Sequence, residues 1–562
     1  MKQTLSTFLG LLITGICFAQ TVTKITGLKD AWGIDITYIG EVKNKVPNGL
    51  GVAIYSSSQD VLRYAGYFEN GAYSGKGVMI FKTGYFLSGN WKNGKLNGKG
   101  TNLNSTGDLY IGDFVNGKKE GKGTLIYKNN NFLTGGFKND LIDGRNIYLS
   151  NEGKIISDNL YKEDKKNGGG FQYEVSSKKL YEGTWSNDQW VSGGSTGLNS
   201  FLKSPQLFGE VTEKQILIGT LDPATKYLKD SGFYYDLKNG KRYFGIFNNG
   251  YLDKGLIVRD DSSRMIGNYN DIGAYGYGYY YKTGQYYDEG IYDKDLLSGN
   301  NNLSIDVNKK TIYYGQTSGG SFTGDAWFAN NSNDLYKGHY VKGQLNGDGW
   351  KADSYGNFVK GTFDNGYVTK ITQLTTADGV TINPVPKTFA EAITNATILY
   401  PGYYLPLTGK ASTDNRDNDD FYFSYTDNSL MKFPGTVSGD LVNWDDAEYP
   451  LYVAHYGEDM DSVKAIAKYK DLAKQVATAS IVLKKGQKPV KLVGSISMPS
   501  TGYVAAASYY NYPQEVKDYS NVSVALVFIK RSEGKFRVLL ICGEKERIEK
   551  WVDNINYGDD LY

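Results

Sequence analysis

Two histidines, His339 and His455, are the only imidazoles in 562 residues, so acid–base chemistry at neutral pH has few carriers. His339 lies beside Gly338 in a repeated glycine-rich pattern, and His455 lies in Tyr452-Val-Ala-His455-Tyr456. Both read as strand residues rather than catalytic bases. No serine nucleophile elbow, zinc-type Cys/His spacing or phosphate loop occurs, and Gly276-Tyr-Gly278 belongs to a repeat rather than to a dinucleotide fingerprint. The run Asp414-Asn-Arg-Asp417-Asn-Asp419-Asp420 offers oxygen ligands but lacks the Gly and terminal Glu of a calcium hand. It reads as a solvated loop, with a cation site as the alternative. Cationic side chains are better organised. Lys76, Lys99 and Lys122 recur every 23 residues between paired glycines, with Lys92, Lys95, Lys118 and Lys119 in the adjoining turns. Such a row can meet an anionic partner (a lipid head group, a glycan phosphate or an acidic protein), or it can keep a long β array soluble.

The lysines are placed by a recurring phrase. It reads Phe86-Leu-Ser-Gly89-Asn-Trp91-Lys-Asn-Gly94-Lys-Leu-Asn-Gly98-Lys-Gly100 and returns as Tyr110-Ile-Gly112-Asp-Phe114-Val-Asn-Gly117. Its first glycine anchors copies at Gly40, Gly66, Gly89, Gly112, Gly135 and Gly183, with a degenerate copy near Asp158. A second run has Gly219, Gly245, Gly267, Gly290, Gly315, Gly338 and Gly361, giving roughly fourteen units. Aromatic, glycine and aromatic at positions 0, 2 and 4 share one face of a strand. The glycine leaves room for neighbouring rings, and the Asn-Gly pairs suit tight turns with positive φ. Each unit is therefore predicted to be a β-hairpin, added edge to edge into a long twisted antiparallel sheet. Gly66, Gly89, Gly112, Gly245, Gly338 and Gly361 are expected to be structural. The 48 Tyr and 69 Gly are what the phrase consumes.

The phrase resembles the MORN repeat, Tyr-x-Gly-x-Trp-x-x-Gly-x-x-x-Gly-x-Gly, from about residue 35 to 367. The best copies are those above, Tyr64-Ala-Gly66-Tyr-Phe68-Glu-Asn-Gly71 and Tyr336-Lys-Gly338-His-Tyr340-Val-Lys-Gly343. The resemblance implies protein–protein contact, self-association or association with membranes. Some members of that family carry enzymes beside the repeats.

The first residues, Lys2 followed by an apolar run from Phe8 to Phe18 and then Ala19-Gln20, have the pattern of a secretory signal cleaved after Ala19. Ile16 before Cys17 argues against a lipoprotein site. Export would leave Cys542, in the apolar run Phe536–Cys542, as the one thiol, expected to be buried. The net charge of +2 gives no steering toward nucleic acid.

The expected organisation is a signal at 1–19, a first array at 35–191, an insertion at 192–218, a second array at 219–370, a linker at 371–386 and an α+β domain at 387–562. In that domain Asp459–Ala479 and Glu544–Ile555 read as helices, and Ser480–Leu483, Val490–Met498, Val522–Lys530 and Lys535–Cys542 as strands. The fold class is mainly β: an elongated single-layer antiparallel sheet of hairpin repeats followed by that domain. The expected function is a non-enzymatic scaffold or interaction subunit of a bacterial cell-envelope assembly, without cofactor. It would be exported to the periplasm or cell surface, in association with the outer membrane, and would bind protein partners through the array and the C-terminal domain, with self-association open. The candidate anionic-partner contacts are Lys76, Lys99, Lys122, Lys95 and Lys118. The alternatives are a glycan- or anionic-lipid-binding envelope protein, or an enzyme in the C-terminal domain.

Overall fold

The structure, a computed structural model, describes residues 21–197, 208–399 and 433–556, apart from short internal stretches of which the longest is 443–450. The expected leader and the acidic run at 414–420 lie outside the described residues.

Strands β1–β15 (Thr21–Gly197) form one antiparallel sheet in strict chain order. Strands β16–β32 (Phe208–Ile382) form a second sheet, also in chain order, with β23 (Tyr286–Asp293) pairing β25 (Gly299–Asp306) as well as the two-residue β24 (Leu296–Leu297). The hairpin arrays are thus present, and they reach past the phrase at both ends. β1 (Thr21–Lys29) precedes it, and β32 (Thr381–Ile382) lies in the expected linker. Much of the expected insertion is also strand, since β15 ends at Gly197 and β16 begins at Phe208.

The pairing register explains the glycines. Gly40, Gly51, Gly66, Gly77, Gly89, Gly100, Gly112, Gly123 and Gly135 stand opposite one another from strand to strand, a ladder crossing the first sheet. In the degenerate copies Asn146 and Asn159 take the rungs, so the rung is one residue beyond the Asp158 anchor read from spacing. The ring at position 0 lies over this ladder. A Cβ on Gly77 would meet the Tyr64 hydroxyl at 2.1 Å, and one on Gly66 (φ +156°) would meet Gly77 Cα at 2.4 Å. The ring is fixed at its far end, because its hydroxyl donates to the carbonyl three residues on: Tyr64 to Tyr67 at 3.0 Å, Tyr110 to Asp113 at 3.2 Å and Tyr313 to Gln316 at 2.7 Å. A bulge between the glycine and the second aromatic opens that carbonyl.

The turns are stacked as well. Asn70 and Gly71 take φ of +51° and +85°, and the Gly71 N–H donates at 2.9 Å to Pro47 O, in the strand that leaves the preceding turn. Gly94 and Gly117 repeat the bond to Tyr73 O and Leu96 O. Where the turn is Asn139-Asp140, the Asp140 N–H makes the same bond to Lys119 O, and its Oδ1 accepts from the Lys119 N–H at 2.8 Å.

Each array is one layer thick, but the two lie face to face. The strands beyond the ladder alternate, so Val78, Ile80, Phe86, Leu103 and Ile111 form an apolar face opposite the ring face, and it packs on Phe233, Leu256, Tyr287, Ile305 and Trp327 of the second sheet. A sheet that is apolar on both faces must cover both. The arrays run in opposite directions. Lys24 meets Ser354, Glu41 meets Lys337, Lys76 meets Glu289 and Phe132 meets Phe244. The chain therefore doubles back between the sheets, and the expected elongated single layer is a two-layer stack.

The C-terminal domain is α+β as expected. Its antiparallel sheet has the order β33 (Ser438–Val442), β34 (Leu451–His455), β38 (Phe536–Glu544), β37 (Val522–Lys530), β36 (Ala505–Asn511) and β35 (Val493–Gly494). Helices α1 (Phe389–Leu399) and α2 (Ser462–Thr478) cover one face, and α3 (Lys545–Asn556) covers the other. The core beneath α1 and α2 is continuous with Tyr340, Val359, Phe363 and Leu374 of the last repeats. Ser480–Leu483 supplies a single bridge, Ile481 to Val490, rather than a strand.

Candidate interaction surfaces

The inter-sheet seam holds polar groups that the sequence did not pair. Arg63 is fully buried and donates to Asn330 O, Lys310 O and Asn333 Oδ1 of the second sheet. Arg264 donates to Asn130 Oδ1 of the first. Burial lowers both guanidiniums to about 10. Lys76 Nζ lies 3.1 Å from Glu289 Oε1, and Thr101 Oγ1 lies 2.6 Å from the Tyr287 hydroxyl, which itself donates to Glu289 Oε2.

This seam redefines the lysine row. Lys76, Lys99 and Lys122 lie on the face turned toward the second sheet, at its rim, and do not form one free ridge. Lys76 is held by Glu289, whose side chain is 4% exposed. Lys99 is held by Asp113 on the adjacent strand at 2.7 Å. Lys122 is exposed and has no carboxylate partner among the described residues. Lys95 and Lys118 belong to a different row, the first residue after each hairpin turn, and both are exposed there.

That second row is an edge of the stacked turns. In the first sheet it reads Val46, Ala72, Lys95, Lys118, Leu141 and Lys165; in the second it includes Tyr251, Leu296, Gln344 and Tyr367. Val46, Leu141, Leu296 and Tyr367 are exposed, and Tyr251 is 75% exposed. Successive turns are about 10 Å apart, two strand spacings. Along the first sheet the exposed Val46 and Leu141 thus share the edge with Lys95, Lys118 and Lys165 at a fixed pitch, unlike scattered surface apolars.

Two concavities accompany the arrays. One, of about 410 Å³, lies on the second array and is lined by Tyr227, Tyr234 and Tyr251 with Gln215, Thr225 and Asn249. The other, of about 490 Å³, lies between the sheets. Thr124, Phe132 and Thr134 line it on one side, and Phe244, Lys254, Leu256, Ile266, Asn268, Tyr277 and Tyr279 on the other.

In the C-terminal domain β37 and β38 are buried almost throughout, and Cys542 lies between the layers, where burial pushes its thiol up. His455 is buried on β34; His339 is exposed, 3.5 Å from Asp325. Val493, Ile496 and Met498 remain exposed along edge strand β35 and the chain after it. Among the described residues no three His, Cys, Asp or Glu side chains are grouped to hold a metal ion, and no helix is long and apolar enough to cross a membrane.

Stacked turns, a glycine ladder and rings laid over it define a β-hairpin repeat protein. The MORN repeat family model matches residues 38–59, 64–84, 88–101, 110–132 and 181–193, and the chain carries MORN repeats over that stretch. All five segments lie in the first sheet. The second sheet carries the same ladder, from Gly219, Gly232, Gly245, Gly255 and Gly267 to Gly338, Gly349 and Gly361. No curated protein matches the chain. MORN repeats generally mediate protein or membrane-lipid interactions and are typically non-enzymatic.

Proposed function

We propose that this protein is a non-enzymatic scaffold subunit of a cell-envelope assembly, exported to the periplasm or cell surface and associated with the outer membrane. The observation that carries the docking part is the turn edge, where Val46, Lys95, Lys118, Leu141, Tyr251, Leu296 and Tyr367 project at a regular pitch. A protein partner with apolar side chains and carboxylates at matching intervals fits that edge. The apolar margin at Val493, Ile496 and Met498 is the corresponding contact on the C-terminal domain. The leader pattern at 1–19 supports export.

The test is retention of the protein in its envelope complex under mild detergent. Lys95→Glu with Lys118→Glu should weaken retention, more at low salt than at high, because exposed charges are screened over about 8–10 Å. Tyr251→Ser with Leu296→Ser should weaken it at every ionic strength. Unchanged retention in both variants would remove the turn edge as the docking surface. A second reading, glycan binding, is favoured by the tyrosine-lined cleft at Tyr227, Tyr234 and Tyr251, whose polar lining is uncharged.

A further inference from the structure

We propose that the cavity between the two sheets takes one long-chain fatty acid, with its chain among Phe132, Phe244, Leu256 and Ile266 and its carboxylate between Lys122 and Lys254. This goes beyond the scaffold reading and does not rest on it. The cavity's volume, about 490 Å³, is within the roughly 300–1,000 Å³ of small-molecule sites. It lies between two places where the sheets touch, Thr101 with Tyr287 and Phe132 with Phe244.

Its polar lining is mostly satisfied already. The Thr124 and Thr134 hydroxyls are 3.0 Å apart, Thr134 also donates to Gly123 O, and the Tyr277 hydroxyl donates to Glu289. A void with so little unspent hydrogen-bonding capacity suits a hydrocarbon better than water or a sugar.

The head-group assignment comes from the repeat register. Lys122 occupies the place that Lys76 and Lys99 hold in the two preceding units, and both of those are matched by a carboxylate. Lys122 stands two residues before the cavity residue Thr124, on the face from which Lys76 reaches the second sheet. Lys254 lines the cavity from β20 (Tyr251–Val258), two residues before Leu256, and is exposed. Neither lysine has a carboxylate partner among the described residues. Two unmatched cations on facing sheets, beside an apolar void, complement a single anionic head on an apolar chain.

Titration of the full chain with cis-parinaric acid, a fluorescent fatty acid, tests this, with its methyl ester as the uncharged control. The parent should show saturable binding of the acid. Lys122→Met with Lys254→Met should weaken the acid at least about tenfold and leave the ester unchanged. Thr134→Phe should fill the cavity and abolish binding of both. The lysine variants lie at exposed positions and keep the test decisive if Thr134→Phe does not fold. Absence of saturable binding by the parent overturns the proposal, as does binding of the acid that the lysine changes leave intact. Binding to phospholipid vesicles without binding of the monomeric acid also overturns it, by assigning the affinity to a membrane surface.

Discussion

Arg63 and Arg264 hold the same place in their repeats, three residues before Gly66 and Gly267, and each crosses from its own sheet into a loop of the other. One clamp points from the first sheet to the second, and the other points back. Both are buried, so each guanidinium needs the oxygens that it meets. Arg63→Met should cost about 1–3 kcal/mol by removing the donor to Lys310 O and Asn333 Oδ1, while Asn330 O keeps the Asn333 N–H. Denaturant unfolding of the variant measures this; a parental midpoint would mean that the clamp adds nothing to the stack.

Lys76 and Glu289 should behave as a coupled pair. Lys76→Met leaves a nearly enclosed carboxylate with only the Tyr277 and Tyr287 hydroxyls as donors and should destabilise by about 1–3 kcal/mol. Once Glu289→Gln is present, the same lysine change should cost much less. A double-mutant cycle gives the coupling, and additive effects would show that the bridge is not formed in solution.

The longest dimension follows from the stacking. Thirty-two strands in one layer would span about 150 Å, whereas the seventeen-stranded sheet spans about 80 Å. Small-angle scattering should report a particle near the shorter length plus the C-terminal domain. A maximum dimension near the longer value would mean that the sheets are open.

Gly112 lies on the ladder under its own ring. A Cβ there would stand 2.4 Å from the Tyr110 hydroxyl and 2.7 Å from Gly123 Cα, so Gly112→Val should destabilise by more than about 1–3 kcal/mol. Calorimetry on the variant decides, and an unchanged melting temperature would discount the ring-over-ladder packing.

Asp353 gives a pH dependence. Burial pushes its carboxyl from 3.8 up to about 6. The native state therefore holds this proton more tightly than the unfolded chain, and the resulting stability is complete below about pH 4 and lost as pH rises through about 6. Asp353→Asn removes that loss, of at most about 3 kcal/mol. Its melting temperature relative to the parent should rise between pH 4 and pH 7. A constant difference across that range would refute the assignment.

The hairpins, the turns and the ladder glycines were legible because each depends on a local requirement: a positive φ at Asn70-Gly71, or bare backbone beneath Tyr64. The stacking was not. It depends on the strand face that the phrase does not specify, and its signal was the alternation at Val78 and Ile80. Lys76 looked free because Glu289 is 213 residues away. Helix α1 was hidden behind Pro384 and Pro386, although Thr388 and Glu391 form a reciprocal cap, Glu391 N–H to Thr388 Oγ1 at 3.2 Å and Thr388 N–H to Glu391 Oε2 at 3.1 Å. The cavity was invisible in the sequence, since it is bounded by residues more than a hundred positions apart.

The reversed stacking of the two arrays constrains how such a chain can change in length. An open repeat array can gain or lose a unit anywhere, because each unit touches only its neighbours. Here Glu41 is matched to Lys337 and Lys76 to Glu289 across the seam. An extra hairpin between Glu41 and Lys76 would push one of those contacts about 10 Å out of place unless the second array gained a hairpin between Glu289 and Lys337. Viable duplications in this protein should therefore come in pairs, placed symmetrically about the point where the chain doubles back.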